Sequence, residues 1–166
     1  MKKLIVALFA MLVSANTFAQ FERDTYYVNA SVTNLGLSYS GESKLNLGVN
    51  ATAGMFIEDC WALVGEVGLD YNHKHLQEFS AGAGLRYYVI QNGLYLGAGA
   101  RYLHLHDANL EGGHKNLNDI QAKVEVGYAF FLNHYVTIEP AIYYNQSFKD
   151  QDFSEVGIKV GLGFYF

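Results

Sequence analysis

From residue 26 onward, apolar residues recur at every second position along most of the chain, the period of an extended strand with one apolar face. The last fourteen residues, FSEVGIKVGLGFYF, show it most cleanly. Val156, Ile158, Val160, Leu162, Phe164 and Phe166 share one face, and Glu155, Gly157, Lys159, Gly161, Gly163 and Tyr165 share the other. Seven earlier segments repeat the pattern: 26–39, 44–55, 61–71, 77–89, 94–102, 118–130 and 135–147. In the first, the apolar parity changes near Asn34, which predicts a β-bulge. Short turns are predicted at Glu58-Asp59, at Gln91-Asn92-Gly93 and over 131–134, and the longest break spans 106–117 with Gly112-Gly113.

The N-terminus has a different character. Lys2 and Lys3 precede a short apolar run, Leu4 to Val13, and Thr17-Phe18-Ala19 has the small-x-small form of a cleavage site. Residues 1–19 are therefore read as a secretory signal peptide, with Gln20 opening a mature domain over 20–166. The run is too short to cross a bilayer as a helix, and no later window offers the roughly eighteen uninterrupted apolar residues such a helix needs. A membrane location would then require a closed barrel, since an open sheet leaves backbone groups unsatisfied in lipid. The alternating pattern predicts an all-β fold, an eight-stranded antiparallel up-and-down transmembrane β-barrel. Aromatics gather near both ends of the apolar face, Trp61, Tyr87, Phe130, Phe164 and Phe166 at one end and Tyr39, Tyr71, Phe79, Tyr102, Tyr144 and Phe153 at the other. Such girdles mark a lipid-facing barrel and separate it from a soluble β-sandwich or lipocalin-like barrel.

Charge refines the picture. Of eleven Lys and Arg, two belong to the leader, leaving nine against sixteen Asp and Glu. A mildly acidic chain without clustered basic residues does not suit nucleic acid. Cys60 is the single cysteine, so no intramolecular disulfide exists, and the sequence assigns it no role. Seven charged residues fall on the polar face in mid-strand: Glu66, Arg86, Arg101, Lys123, Glu125, Glu139 and Lys159. An eight-stranded barrel is just wide enough for side chains to fill it. Unpaired charges there would cost several kcal/mol each, on the order of the usual penalty for buried ions. An ion-paired lumen network follows, with Glu66–Arg86 and Glu139–Lys159 as cross-strand pairs.

The segments GMFIEDCWALVGEVG (54–68), GLRYYV (84–89) and VGYAFFLNHYVTIEPAIYY (126–144) carry a family resemblance. The chain resembles the small outer-membrane β-barrel superfamily of the OmpA transmembrane domain and OmpX, and within it the outer-membrane protein β-barrel, porin-family domain. The resemblance covers the whole mature chain and implies a monomer in the bacterial outer membrane, both termini periplasmic, with lipid and the barrel-assembly machinery as partners. It also implies that Phe164 and Phe166 form the C-terminal assembly signal. Function follows only loosely, because the superfold hosts several jobs. The expected role is non-enzymatic, in envelope integrity or surface interaction, with a narrow cation-leaning porin as the alternative.

Two further chemistries are weighed at the rim. Asp70, Glu78, Asp119 and Glu155 are inward-facing acids near the predicted outer mouth. His73/His75 and His104/His106 are His-x-His pairs, a spacing that presents two imidazoles on one face of a strand to Zn or Cu. Their parity continues the lipid-facing set, so metal binding is a minor reading, no cofactor is expected, and an extracellular ligand stays unassigned. Some barrels of this kind modify lipid A with rim His and Ser, but no Ser here stands beside a His at matching spacing.

Overall fold

In a computed structural model, residues 21–33, 47–71, 76–89, 93–107, 117–148 and 154–166 are described. Eight strands follow one another: β1 (Tyr26–Thr33), β2 (Leu47–Glu58), β3 (Trp61–Tyr71), β4 (Leu76–Tyr88), β5 (Leu94–Asp107), β6 (Leu117–Tyr128), β7 (Val136–Ser147) and β8 (Glu155–Tyr165). Each pairs antiparallel with its neighbour in sequence, and β1 pairs with β8 from Tyr27↔Tyr165 to Thr33↔Lys159, closing the barrel. Just beyond that ladder, Tyr26 and Phe166 exchange backbone hydrogen bonds of 2.8 and 3.0 Å and stack their rings. The last residue of the chain thus takes part in closure.

A two-residue strand, Phe130–Phe131, continues β6 in the same register against β7: Gly127 faces Ala141, and three residues on Phe130 faces Ile138. The interruption has a cause on the facing strand. Carrying the register across puts Tyr128 opposite Pro140, which has no N–H for the ladder. On the other side Ala129 N continues the ladder with β5, donating to Gly93 O at 2.8 Å.

The alternation in sequence becomes inside and outside. Outward positions are exposed and apolar, among them Val49, Leu63, Val67, Leu69, Leu96, Ile120, Val124, Ile142, Val160 and Leu162. Inward positions are buried and polar, aromatic or glycine. That inversion of a soluble core is what a hydrocarbon surrounding demands. The aromatic ends appear at Trp61, Tyr87, Phe164 and Phe166, joined by Tyr26 and Tyr135, and on the other side at Phe79, Tyr102 and Tyr144. Tyr39 and Phe153, the ring of Tyr71 and the bulge expected near Asn34 lie outside the described residues.

Short connections gather at the end that carries the termini. Cys60 closes the β2–β3 turn at φ 66°, left-handed backbone that non-glycine residues seldom adopt. Asn133 holds the turn before β7, its Oδ1 accepting from Tyr135 N and Val136 N at 2.8 and 2.9 Å.

Candidate functional site

The lumen is built in tiers. At the terminal end lies an aromatic floor of Phe21, Phe56, Tyr88, Tyr95 and Tyr165, each essentially without solvent exposure. Phe21 is its centre, stacked on Tyr88 with ring centroids 4.2 Å apart and within 6 Å of Phe56, Phe131 and Tyr165. It precedes β1, and backbone bonds hold it: Cys60 N donates to Phe21 O at 2.7 Å, and Asp24 N to Phe56 O at 2.9 Å. The sequence reading missed this residue because it lies in no alternating segment. Cys60 also gains a role here, as the turn residue whose N–H anchors the segment that delivers Phe21.

Above the floor runs a belt of six charges. Arg86, from β4, is 2% exposed. Its Nε donates to Glu125 Oε1 at 2.7 Å, its Nη1 donates to Tyr27 Oη at 2.6 Å, and Glu139 Oε2 lies 3.6 Å away. The guanidinium also sits over the Tyr27 and Tyr95 rings, at 5.0 and 4.6 Å. Lys159 donates to Glu125, and Lys123 donates to Glu66 while lying 3.5 Å from Glu125. Glu139 accepts from Tyr27 (2.5 Å), Thr137 (2.7 Å), Tyr165 (2.8 Å) and Asn29 (3.2 Å). Three carboxylates, Glu66, Glu125 and Glu139, thereby face three cations, Arg86, Lys123 and Lys159. Arg101 sits apart, buried, with Nε donating to Gln121 at 3.1 Å.

The two expected pairs, Glu66–Arg86 and Glu139–Lys159, do not form. Register is the reason: Glu66 faces Gly82 while Arg86 faces Ala62, and Glu139 faces Gly161 while Lys159 faces Ala141. The partners instead cross the lumen, β3 to β6, β4 to β6 and β7, and β8 to β6. Interior glycines give them room. A Cβ on Gly97 would lie 2.5 Å from Glu125 Cγ, and one on Gly84 would lie 2.6 Å from Ala98 O.

The tier above the belt is polar, with Asn50, Ser80, Gln121, Asn145 and Ser147 buried. Of the expected acidic rim, Asp70 accepts from Thr33 (3.2 Å) and Glu155 from Tyr143 (3.3 Å), while Asp119 Oδ2 has no hydrogen-bond partner. The side chain of Glu78 lies outside the described residues, as do His73, His75 and the ring of His106. His104 points outward and its Nδ1 lies 2.7 Å from Asn118 Oδ1. Among the described residues no group of three or more His, Cys, Asp or Glu is placed to hold a metal ion. Ser154 Oγ is occupied by bonds from Gln146 Nε2 and Ser147 N, and Ser80 is buried on the inner wall.

No protein-family model and no curated protein sequence matches the chain. Solved structures do. The N-terminal β-barrel domain of Pseudomonas aeruginosa OprF superposes with a TM-score of 0.67 at 14% identity, covering 87% of this chain and 98% of that one. OprG from the same organism gives 0.64 at 15% identity, over 90% and 99%. Neisserial surface protein A gives 0.62 at 17%, over 86% and 96%. At such identities the likeness is one of fold, and it coincides with the closed eight-strand ladder and the apolar exterior described above. By its fold, this chain is a small eight-stranded transmembrane β-barrel of the outer-membrane type.

Proposed function

We propose that the protein is a non-enzymatic integral protein of the bacterial outer membrane, exported by a leader cleaved after Ala19, with both termini in the periplasm. It acts as a monomer through its surfaces, the lipid-facing wall contributing to envelope integrity and the connections at the far end meeting the outside. The observation that carries this reading is the filled lumen. An aromatic floor centred on Phe21 and a charge-balanced belt across Arg86, Glu125, Glu139 and Lys159 fill the described part of the lumen at the terminal end with buried side chains. The void beside the belt, bordered by Glu66, Arg86, Lys123 and Glu125, is about 20 Å³, near the least that holds one water. The narrow cation-leaning porin draws support from Asp70, Asp119 and Glu155 at the other end, but the floor opposes it. Among the described residues, Ser154 is partnered and Ser80 buried, which offers lipid A chemistry no nucleophile beside a histidine.

Planar-bilayer recordings of the pure protein test the plugged reading. No steady channel is expected, and large, steady conductance from every inserted molecule would overturn it. Fractionation with a heat-modifiability gel tests the location, where a protein that stays soluble and shows no heat-dependent shift would sink it. Unchanged lipid A profiles on overproduction are expected for a protein that is not an enzyme.

A further inference from the structure

Ahead of β1 the chain makes one tight turn. Thr25 N donates to Glu22 O at 3.2 Å, and Asp24, the third of the four residues, has φ 68°. Positive φ at that position is the type II arrangement, which glycine suits and a residue with a Cβ does not. Through this turn the strap 21–25 doubles back. Phe21 enters the centre of the floor, while Glu22, Arg23 and Asp24 stay exposed.

The strap is held unevenly. Its backbone bonds run to the end of β2 and the turn that follows. Asp24 N donates to Phe56 O at 2.9 Å, Phe56 N to Thr25 O at 2.9 Å, and Cys60 N to Phe21 O at 2.7 Å. Arg23 N adds an exposed bond to Asp59 Oδ1 at 3.1 Å. Arg23 and Glu58 lie 3.6 Å apart with most of each side chain in solvent, so that pair adds little. Around the rest of the barrel, Phe21 meets Tyr88, Phe131 and Tyr165 ring to ring, at 4.2, 5.6 and 5.7 Å. The wall closes without any of this. Its ladders begin at Tyr26↔Met55 and Tyr27↔Tyr165, and Tyr26 bonds to Phe166. The receiving turn also has its own support, since Cys60 O accepts from Tyr88 N at 2.8 Å. Cys60 thus gives its N–H to the strap and its carbonyl to the wall. A segment bonded along one side, at an exposed edge, opens at lower free energy than a ladder paired on both sides.

We infer that residues 21–25 are a hinged stopper, which lifts off the floor as one unit at Asp24 while the eight-stranded wall stays closed. Docked, Phe21 seals the terminal end of the lumen. Lifted, it leaves the rings of Phe56, Tyr88 and Tyr165 facing that end. The turn at Asp24 sets the balance, because its backbone strain is stored on docking and released on lifting. This motion goes beyond the proposed function and holds whichever way the lumen is used.

The test is amide hydrogen exchange of the whole mature barrel in phosphocholine nanodiscs. The Cys60 amide reports the strap, and the amides of Tyr88 and Tyr165, bonded to Cys60 O and Tyr135 O, report the wall. Cys60 is expected to exchange faster than both. Asp24→Gly suits the turn and should slow Cys60 by about threefold or more, whereas Asp24→Val should speed it, with Tyr88 and Tyr165 unmoved. Phe21→Ala should speed Cys60 by about tenfold or more. The heat-modifiability gel shows that each variant is folded. Cys60 exchanging in step with Tyr88 and Tyr165, variants that move all three amides together, or a Cys60 rate that ignores both Asp24 variants would each overturn the stopper.

Discussion

Replacing Arg86 with methionine removes the cation at the centre of the belt while keeping most of its aliphatic volume. The side chain gives up its bond to Glu125 at 2.7 Å, its bond to Tyr27 at 2.6 Å, the approach to Glu139 at 3.6 Å and its seat over two tyrosine rings. A hydrogen bond to a charged group contributes about 1.5–3 kcal/mol, and a desolvated cation–π contact about 2. These do not simply add, because Glu125 keeps Lys159 and Lys123, and Glu139 keeps four neutral donors. Breaking one member out of a buried pair typically costs about 3–5 kcal/mol, and that is the loss expected here. What remains uncompensated is one negative charge, and it falls on Glu139, whose ionic neighbour was Arg86. Adding Glu139→Gln restores neutrality, so the double variant should be more stable than the sum of the two single losses by more than about 1 kcal/mol. Urea unfolding in lipid vesicles measures this, with the single tryptophan, Trp61, as a reporter on the outer wall. A loss below about 1 kcal/mol for Arg86→Met, or strict additivity of the pair, would refute the claim that charge balance holds the belt.

Other consequences are as direct. Phe21→Ala should cost about 3 kcal/mol in the same assay, since it empties the centre of the floor, and an unchanged midpoint would place Phe21 outside the fold's stability. Gly84→Ala puts a Cβ 2.6 Å from Ala98 O and should destabilise by about 1–3 kcal/mol, whereas Gly65→Ala, with no neighbour nearer than 3.9 Å, should be neutral; equal effects would contradict the crowding argument. Deleting Phe166 removes both backbone bonds to Tyr26 and should lower the fraction of heat-modifiable, membrane-inserted protein in cells, with wild-type insertion arguing against Phe166 as an assembly signal. Mass spectrometry of the exported protein should find Gln20 at its N-terminus, and retention of residues 1–19 would contradict the leader reading.

Strand order and facing were legible because a period of two leaves little choice once one face must meet lipid. The ends of strands were less so: β2 reaches Glu58 rather than stopping at Met55, and β5 runs on to Asp107. Ion pairing inside was not legible. Sequence reasoning matched charges on neighbouring strands, yet Lys159 of β8 meets Glu125 of β6 across the lumen, where reach depends on barrel width and on which neighbours are glycine. Phe21 was invisible for a different reason, since a lone aromatic ahead of the first strand carries no periodic signal. The break at Ala129 was readable in principle from Pro140, but only with the register that sets the two opposite each other.

The floor around Phe21 packs the lumen at the end that carries the termini. On the side away from the termini the belt is bounded by a buried polar tier, Asn50, Gln121 and Asn145, rather than by rings. The two ends of the lumen therefore differ in chemistry, rings at one and amides and hydroxyls at the other. Within the belt, Lys123 and Glu66 keep 11% of their side-chain surface, whereas Arg86 and Glu139, nearer the rings, keep 2%. Reconstituted in one orientation, such a barrel would respond to salt from a single side of the membrane.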